Sequence, residues 1–146
     1  MGISIINETK AAFPKVAFDF IKNTVLGKSY ELTVIIASPA IVKRLNLTYR
    51  DKNHPTDILS FPLSKSEGEI YLCQSAARKK AKEFGLSYEK YFTLLFIHGC
   101  AHLKGYDHGV RMEAFEAKLQ RKLNEQTKSK DGTQYRNRNR RRHLPN

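Results

Sequence analysis

The stretch SYEKYFTLLFIHGCAHLKGYDH, from Ser87 to His108, decides how the rest of the chain must be arranged. Ser87 is a natural helix N-cap, although Lys90 rather than a glutamate three residues on means that no capping box forms. Gly105 stands where a left-handed residue would end the helix. Between them Tyr91, Phe92, Leu94, Leu95, Phe96, Ile97, Cys100, Ala101 and Leu103 leave no wide polar side. A helix over Tyr88 to Lys104 that is apolar nearly all round belongs at the centre of a domain.

Working outward, Val110 to Gln126 is amphipathic, with Met112, Phe115, Leu119 and Leu123 recurring at helical spacing. Upstream, Gln74 to Phe84 reads as a lysine-rich helix ended near Gly85. Ile58 to Leu63 and Glu69 to Cys73 flank a turn at Ser64–Gly68 and read as paired strands. Arg50 to Asp57, broken by Pro55, is a loop. Ser38 and Pro39 open a helix whose apolar face is Ile41, Val42, Leu45 and Leu47. Tyr30 to Ala37 (YELTVIIA) is β-branched and suits an interior strand. Pro14 is expected to open a first helix running to Gly27, and Ile3 to Asn7 a first strand. Early strands with helices between them, then a helical half, make an α/β or α+β domain of about four strands and five helices.

Three of the five histidines fall within eleven residues. His98 and His102, spaced i and i+4, share one face of the central helix. Gly105 turns the chain so that His108 can return toward them. Three converging imidazoles with a fourth position open to water form a catalytic zinc site, so one zinc per chain is expected on His98, His102 and His108. The bland alternative, three hydrogen-bonded core histidines, is costly because three titratable rings would be buried without a compensating ion. The spacing also matches the metzincin peptidase motif, except that the glutamate required after the first histidine is replaced by Gly99.

A length of 146 residues fits one domain, expected over residues 1–126, with 127–146 as a basic disordered tail. The net charge is +12, and residues from Gln126 onward carry half of it. Such a balance favours polyanions, in the cytoplasm above all nucleic acid. Cys73 and Cys100 sit among apolar neighbours and read as buried free thiols. No apolar run is long enough to span a membrane, and the N-terminus lacks the pattern of a secretory signal. A cytoplasmic protein is expected.

The stretch from His98 to His108 resembles the signature of the bacterial YbeY family, His-Gly-x-Leu-His-Leu-x-Gly-Tyr-Asp-His. Two further blocks are similar to that family: LNLTYRDK (Leu45 to Lys52) followed by PTDILSFP (Pro55 to Pro62), and GEIYLC (Gly68 to Cys73). The likeness runs in order from about Ile3 to Gln126. Ala101 departs from the usual leucine, and Asn53-His54 from a commoner acidic–basic pair. The resemblance implies an α+β fold of αβα type with a mixed sheet. It also implies a zinc-dependent, single-strand-specific endoribonuclease of ribosomal RNA maturation (the 16S rRNA 3′ end) and ribosome quality control. Its partners would be single-stranded RNA, rRNA and ribosomal particles, with no DNA specificity and no membrane.

By the same resemblance Arg50 is the catalytic arginine. Physically, a guanidinium suits the charge that builds on a phosphorane-like transition state. The proton acceptor stays open among Asp107, Asp57 and a ribose 2′-hydroxyl. Tyr106 is read as packing, and His54 as an exposed loop residue. A non-catalytic zinc-containing RNA or ribosome assembly factor is the competing reading, and a zinc peptidase the weaker third.

Overall fold

The β-branched run around Val34 forms an inner strand. In the computed structural model, which describes residues 2–106 and 110–131, β2 (Glu31–Ile36) lies between β1 (Ile3–Asn7) and β4 (Glu67–Leu72), and β3 (Ile58–Ser64) pairs with the far side of β4. β1 and β4 both run parallel to β2, whereas β3 is antiparallel to β4, so the sheet is mixed in the order β1-β2-β4-β3. The helices are α1 (Phe18–Leu26), α2 (Pro39–Arg50), α3 (Gln74–Glu83), α4 (Tyr88–Lys104) and α5 (Val110–Asp131). This is the expected α+β arrangement.

Alternation along the inner strands divides the interior in two. Leu32, Val34, Ile36, Ile70 and Leu72 join Phe92, Phe96 and Ile97 of α4 in the main core, which also takes side chains from α1 and α5. Ile35, Leu59 and Cys73 face the other way, into a smaller core with Val42 of α2. The sheet is therefore sandwiched between helices. Fully burying each such Leu, Ile or Phe contributes about 1.5–3 kcal/mol, and α4, with seven buried residues, is the main source of that burial among the helices.

Four local expectations change. Helix α1 starts at Phe18, not Pro14: Ala17 offers no capping side chain, and the Phe18 amide donates to the Val16 carbonyl at 2.8 Å. Phe13 and Val16 instead pack on the main core from the segment leading into the helix. On α2, Leu47 is exposed, and the buried position beyond Val42 is Asn46, whose Nδ2 donates to the His54 carbonyl at 2.8 Å. The hairpin turn is tighter than expected, since β4 already begins at Glu67. Helix α5 continues to Asp131, five residues beyond the apolar periodicity, while 132–146 of the expected tail lie outside the described residues. Cys73 and Cys100 are buried and unpaired. Among the described residues no helix is long and apolar enough to cross a membrane.

Candidate metal centre

Helix α4 is held at both ends as its sequence requires. Ser87 Oγ accepts from the Lys90 amide at 3.1 Å. Gly105 takes φ 114°, its amide reaching the carbonyls of Ala101 and His102, and the Tyr106 amide closes on Ala101 at 3.0 Å. These bonds satisfy last-turn carbonyls that would otherwise lack partners. They also fix the direction in which the chain leaves the helix.

One turn apart on this helix, the rings of His98 and His102 lie with centroids 4.7 Å apart, nearly perpendicular. His98 Nδ1 is 2.8 Å from Glu116 Oε2, with both side chains partly buried. An ionised carboxylate only accepts, so Nδ1 carries the proton and Nε2 is the atom through which His98 would bind a metal. A carboxylate behind a ligating histidine fixes its tautomer and makes it a better donor. Glu116 reaches this position because α5 packs against the end of α4, where Tyr106 stacks on Phe115 with centroids 4.8 Å apart. That contact gives Tyr106 the packing role expected of it.

Glu116 escaped the sequence reading, yet a signal was there. Glu116 precedes Leu119 and Leu123 at helical spacing on the face of α5 that those two residues bury, so it is an acid on the packed side of the helix. His108 and Asp107 lie outside the described residues, in the segment joining α4 to α5. Among the described residues no three His, Cys, Asp or Glu side chains gather as a ligand set. The His98–His102 pair with its supporting carboxylate fits two thirds of a three-histidine zinc site.

Gly99 faces the sheet. A Cβ there would lie 2.7 Å from Ile58 Cδ1, 3.1 Å from Ile70 Cδ1 and 3.2 Å from Ser60 Oγ. Ser60 Oγ donates to the Gly99 carbonyl at 3.3 Å. This position has no room for the peptidase glutamate: any side chain would enter the interface of α4 with β3 and β4. The absence of a base at residue 99 is thus tied to the packing of the helix.

Arg50 ends α2 and is exposed. Its helix covers the sheet face opposite α4, and its guanidinium makes no hydrogen bond or ion pair to a described residue. Asp51 follows in the left-handed region at φ 59°, turning the chain into the 51–57 loop. His54 is exposed in that loop, its Nδ1 3.1 Å from the Pro55 carbonyl.

Asp57, a candidate proton acceptor by sequence, is buried, and its Oδ2 accepts from the Tyr91 hydroxyl at 2.6 Å. The Cys73 amide donates to its carbonyl. Asp57 therefore pins the start of β3 to α4, two turns before His98. Burial, and then the bond to Asp57, push the Tyr91 phenol well above its ordinary range.

A family model described as endoribonuclease YbeY matches residues 3–131. The endoribonuclease YbeY of Aliarcobacter butzleri is 37% identical over 114 residues, spanning 74% of this chain and 80% of the relative. That of Bdellovibrio bacteriovorus is 31% identical over 146 residues, spanning 83% and 97%. That of Nautilia profundicola is 37% identical over 129 residues, spanning 84% and 91%. The solution structure of a Thermotoga maritima protein has a TM-score of 0.56 at 28% identity, covering 90% of this chain and 99% of that one.

Proposed function

The chain belongs to the endoribonuclease YbeY family, and from that membership we propose that it is a zinc-dependent endoribonuclease acting on single-stranded RNA. The observation that carries the metal part is the His98–His102 pair with Glu116 set behind His98. His98, His102 and His108 would hold the ion, one per chain. When bound, zinc supplies a Lewis acid for a phosphoryl oxygen and lowers the pKa of a coordinated water.

The remaining work falls to the chain. Glu116 holds the proton on His98 Nδ1 and so keeps the ring in its ligating orientation. Arg50, permanently charged and exposed, binds phosphate oxygens and offsets the charge that builds on them. Gly99 keeps α4 close against β3 and leaves no carboxylate beside the first histidine, which argues against peptide hydrolysis. The basic net charge draws a polyanion to the surface.

The setting proposed is cytoplasmic maturation of ribosomal RNA, the 16S 3′ end included, together with quality control of ribosomal particles. The competing reading, a zinc-containing assembly factor without catalysis, draws support from Arg50, whose helix lies across the sheet from the histidines. Cleavage of a defined single-stranded RNA by the wild type, Arg50→Ala and His102→Ala separates the two. Strong loss of cleavage in both variants, with zinc retained only in Arg50→Ala, is expected. Equal cleavage by all three proteins would mean a contaminating nuclease and would end the enzyme reading.

A further inference from the structure

The face of the sheet away from α4 carries a feature that the proposed chemistry does not use. Tyr49, in the last turn of α2, is 66% exposed, which is unusual for a large aromatic ring on a packed helix. It is held in place all the same: its ring meets Phe61 edge to face at 5.3 Å, and Phe61 meets Tyr71 in the same manner at 5.8 Å. Contacts of this kind fix a ring while leaving a face open. Lys43, Arg44, Arg50 and Lys52 are exposed along the same helix and the loop after it, with Asp51 the one acid among them. The other end of the row is acidic, since Glu69 and Glu8 are the carboxylates acting on the Tyr71 hydroxyl.

Strand β3 connects this row to the histidine helix. Its neighbours Ser60 and Phe61 point to opposite faces: Ser60 bonds to Gly99, beside His98, while Phe61 supports Tyr49. β3 is an edge strand, so a chain laid across that edge passes from the face that holds Tyr49 to the face that α4 covers.

We propose that Tyr49, backed by Phe61, is a base-stacking subsite for single-stranded RNA, with the adjacent phosphate on Arg50. Aromatic rings beside a basic track are how proteins hold single strands irrespective of sequence, and the basic end of the row matches a polyanion better than an apolar protein face. The inference rests on RNA as the substrate and deepens that reading. It gives Arg50 a place on a path that leads around the β3 edge to the metal centre.

The test uses the full chain and a fluorescent single-stranded 2′-O-methyl oligonucleotide, checked for integrity on a gel, with binding followed by anisotropy. Tyr49→Ala should weaken binding roughly 5- to 100-fold, the range that loss of one stacked base produces, while Tyr49→Phe stays near wild type. An oligonucleotide carrying abasic sites should bind the wild type and Tyr49→Ala alike. The dependence on salt should not change in Tyr49→Ala but should become shallower in Arg50→Ala, because stacking releases no counterions and phosphate contacts do.

Unchanged affinity of Tyr49→Ala for the intact strand would overturn the proposal and leave the patch as a surface for a protein partner. Equal weakening on intact and abasic strands would also overturn it. His102→Ala keeps the two readings apart: it should abolish cleavage and zinc binding while preserving the Tyr49-dependent affinity.

Discussion

Substitution of Gly99 probes the fold and the metal centre together. An alanine Cβ at this position would lie 2.7 Å from Ile58 Cδ1 and 3.1 Å from Ile70 Cδ1. The Ile58 methyl has some room to move, because that residue is only partly buried, but Ile70 is fully enclosed. Alanine recovers about 1 kcal/mol of helix propensity over glycine, and overpacking costs about 1–3 kcal/mol. Gly99→Ala should therefore be destabilised by about 0–2 kcal/mol, the difference of these terms.

Gly99→Glu, which restores the peptidase pattern, adds four more heavy atoms and a carboxylate directed into the packed interface of α4 with β3 and β4. Burying that charge costs several kcal/mol more, which is a large part of the roughly 5–15 kcal/mol that holds a domain together. For a domain of this size each kcal/mol lowers Tm by about 3–5 °C. The assay is thermal and urea unfolding followed by circular dichroism, with zinc content measured on the folded fraction. Expected are a fall of at most about 10 °C for alanine and more than about 15 °C, or failure to fold, for glutamate. A Gly99→Glu protein that melts within a few degrees of wild type would refute the sheet-facing placement. Gain of zinc-dependent peptide hydrolysis would refute it as well, because the carboxylate would then have reached the metal.

Two further outcomes are expected. Glu116→Gln should weaken zinc binding about 10- to 100-fold, the usual effect of losing a carboxylate behind a ligating histidine, while His98→Ala should bring zinc content near zero; competition against a chromophoric chelator measures both, and equal affinity in Glu116→Gln would remove its supporting role. Stability should fall in alkali as pH rises through the window from about 10 to about 12. Burial pushes the Tyr88 phenol up to about 12, against the opposing Arg78 beside its ring, and raises Tyr91 further. The native state thus keeps protons that unfolded phenols release near 10, so the stabilisation is complete below that pH and is lost above it. Urea midpoints at a series of pH values should show the decline. Tyr91→Phe should flatten it while costing about 1.5–3 kcal/mol at neutral pH, because Asp57 loses a short hydrogen bond to its buried carboxylate; a slope unchanged in that variant would place the origin elsewhere.

Local features were legible wherever they repeat over a few residues. The interior strand at Glu31–Ile36, the Ser38–Pro39 start of α2, the Ser87 and Gly105 ends of α4, and the shared face of His98 and His102 all follow from period-two or helical spacing and capping chemistry. Where one apolar pattern served two purposes, the reading slipped. Val16 continues the spacing of α1 but packs, partly buried, from the segment before the helix, and Leu47 continues that of α2 while Asn46 takes the interior position.

Sequence alone therefore determined most of the secondary elements, the α+β class, the basic net charge and the shared helix face of His98 and His102. Only the tertiary structure decided what stands around them. Glu116 meets His98 across 18 residues, Tyr91 meets Asp57 across 34, and Ser60 meets Gly99 across 39; the ring of Tyr49 likewise finds Phe61 on another element. Periodicity says which face of an element is apolar, not which residue of another element will lie opposite it. That choice is made when side-chain volumes pack between helix and sheet, and at Gly99 it is made by the lack of a side chain, which lets α4 come close enough to β3 for Ser60 to bond to its backbone.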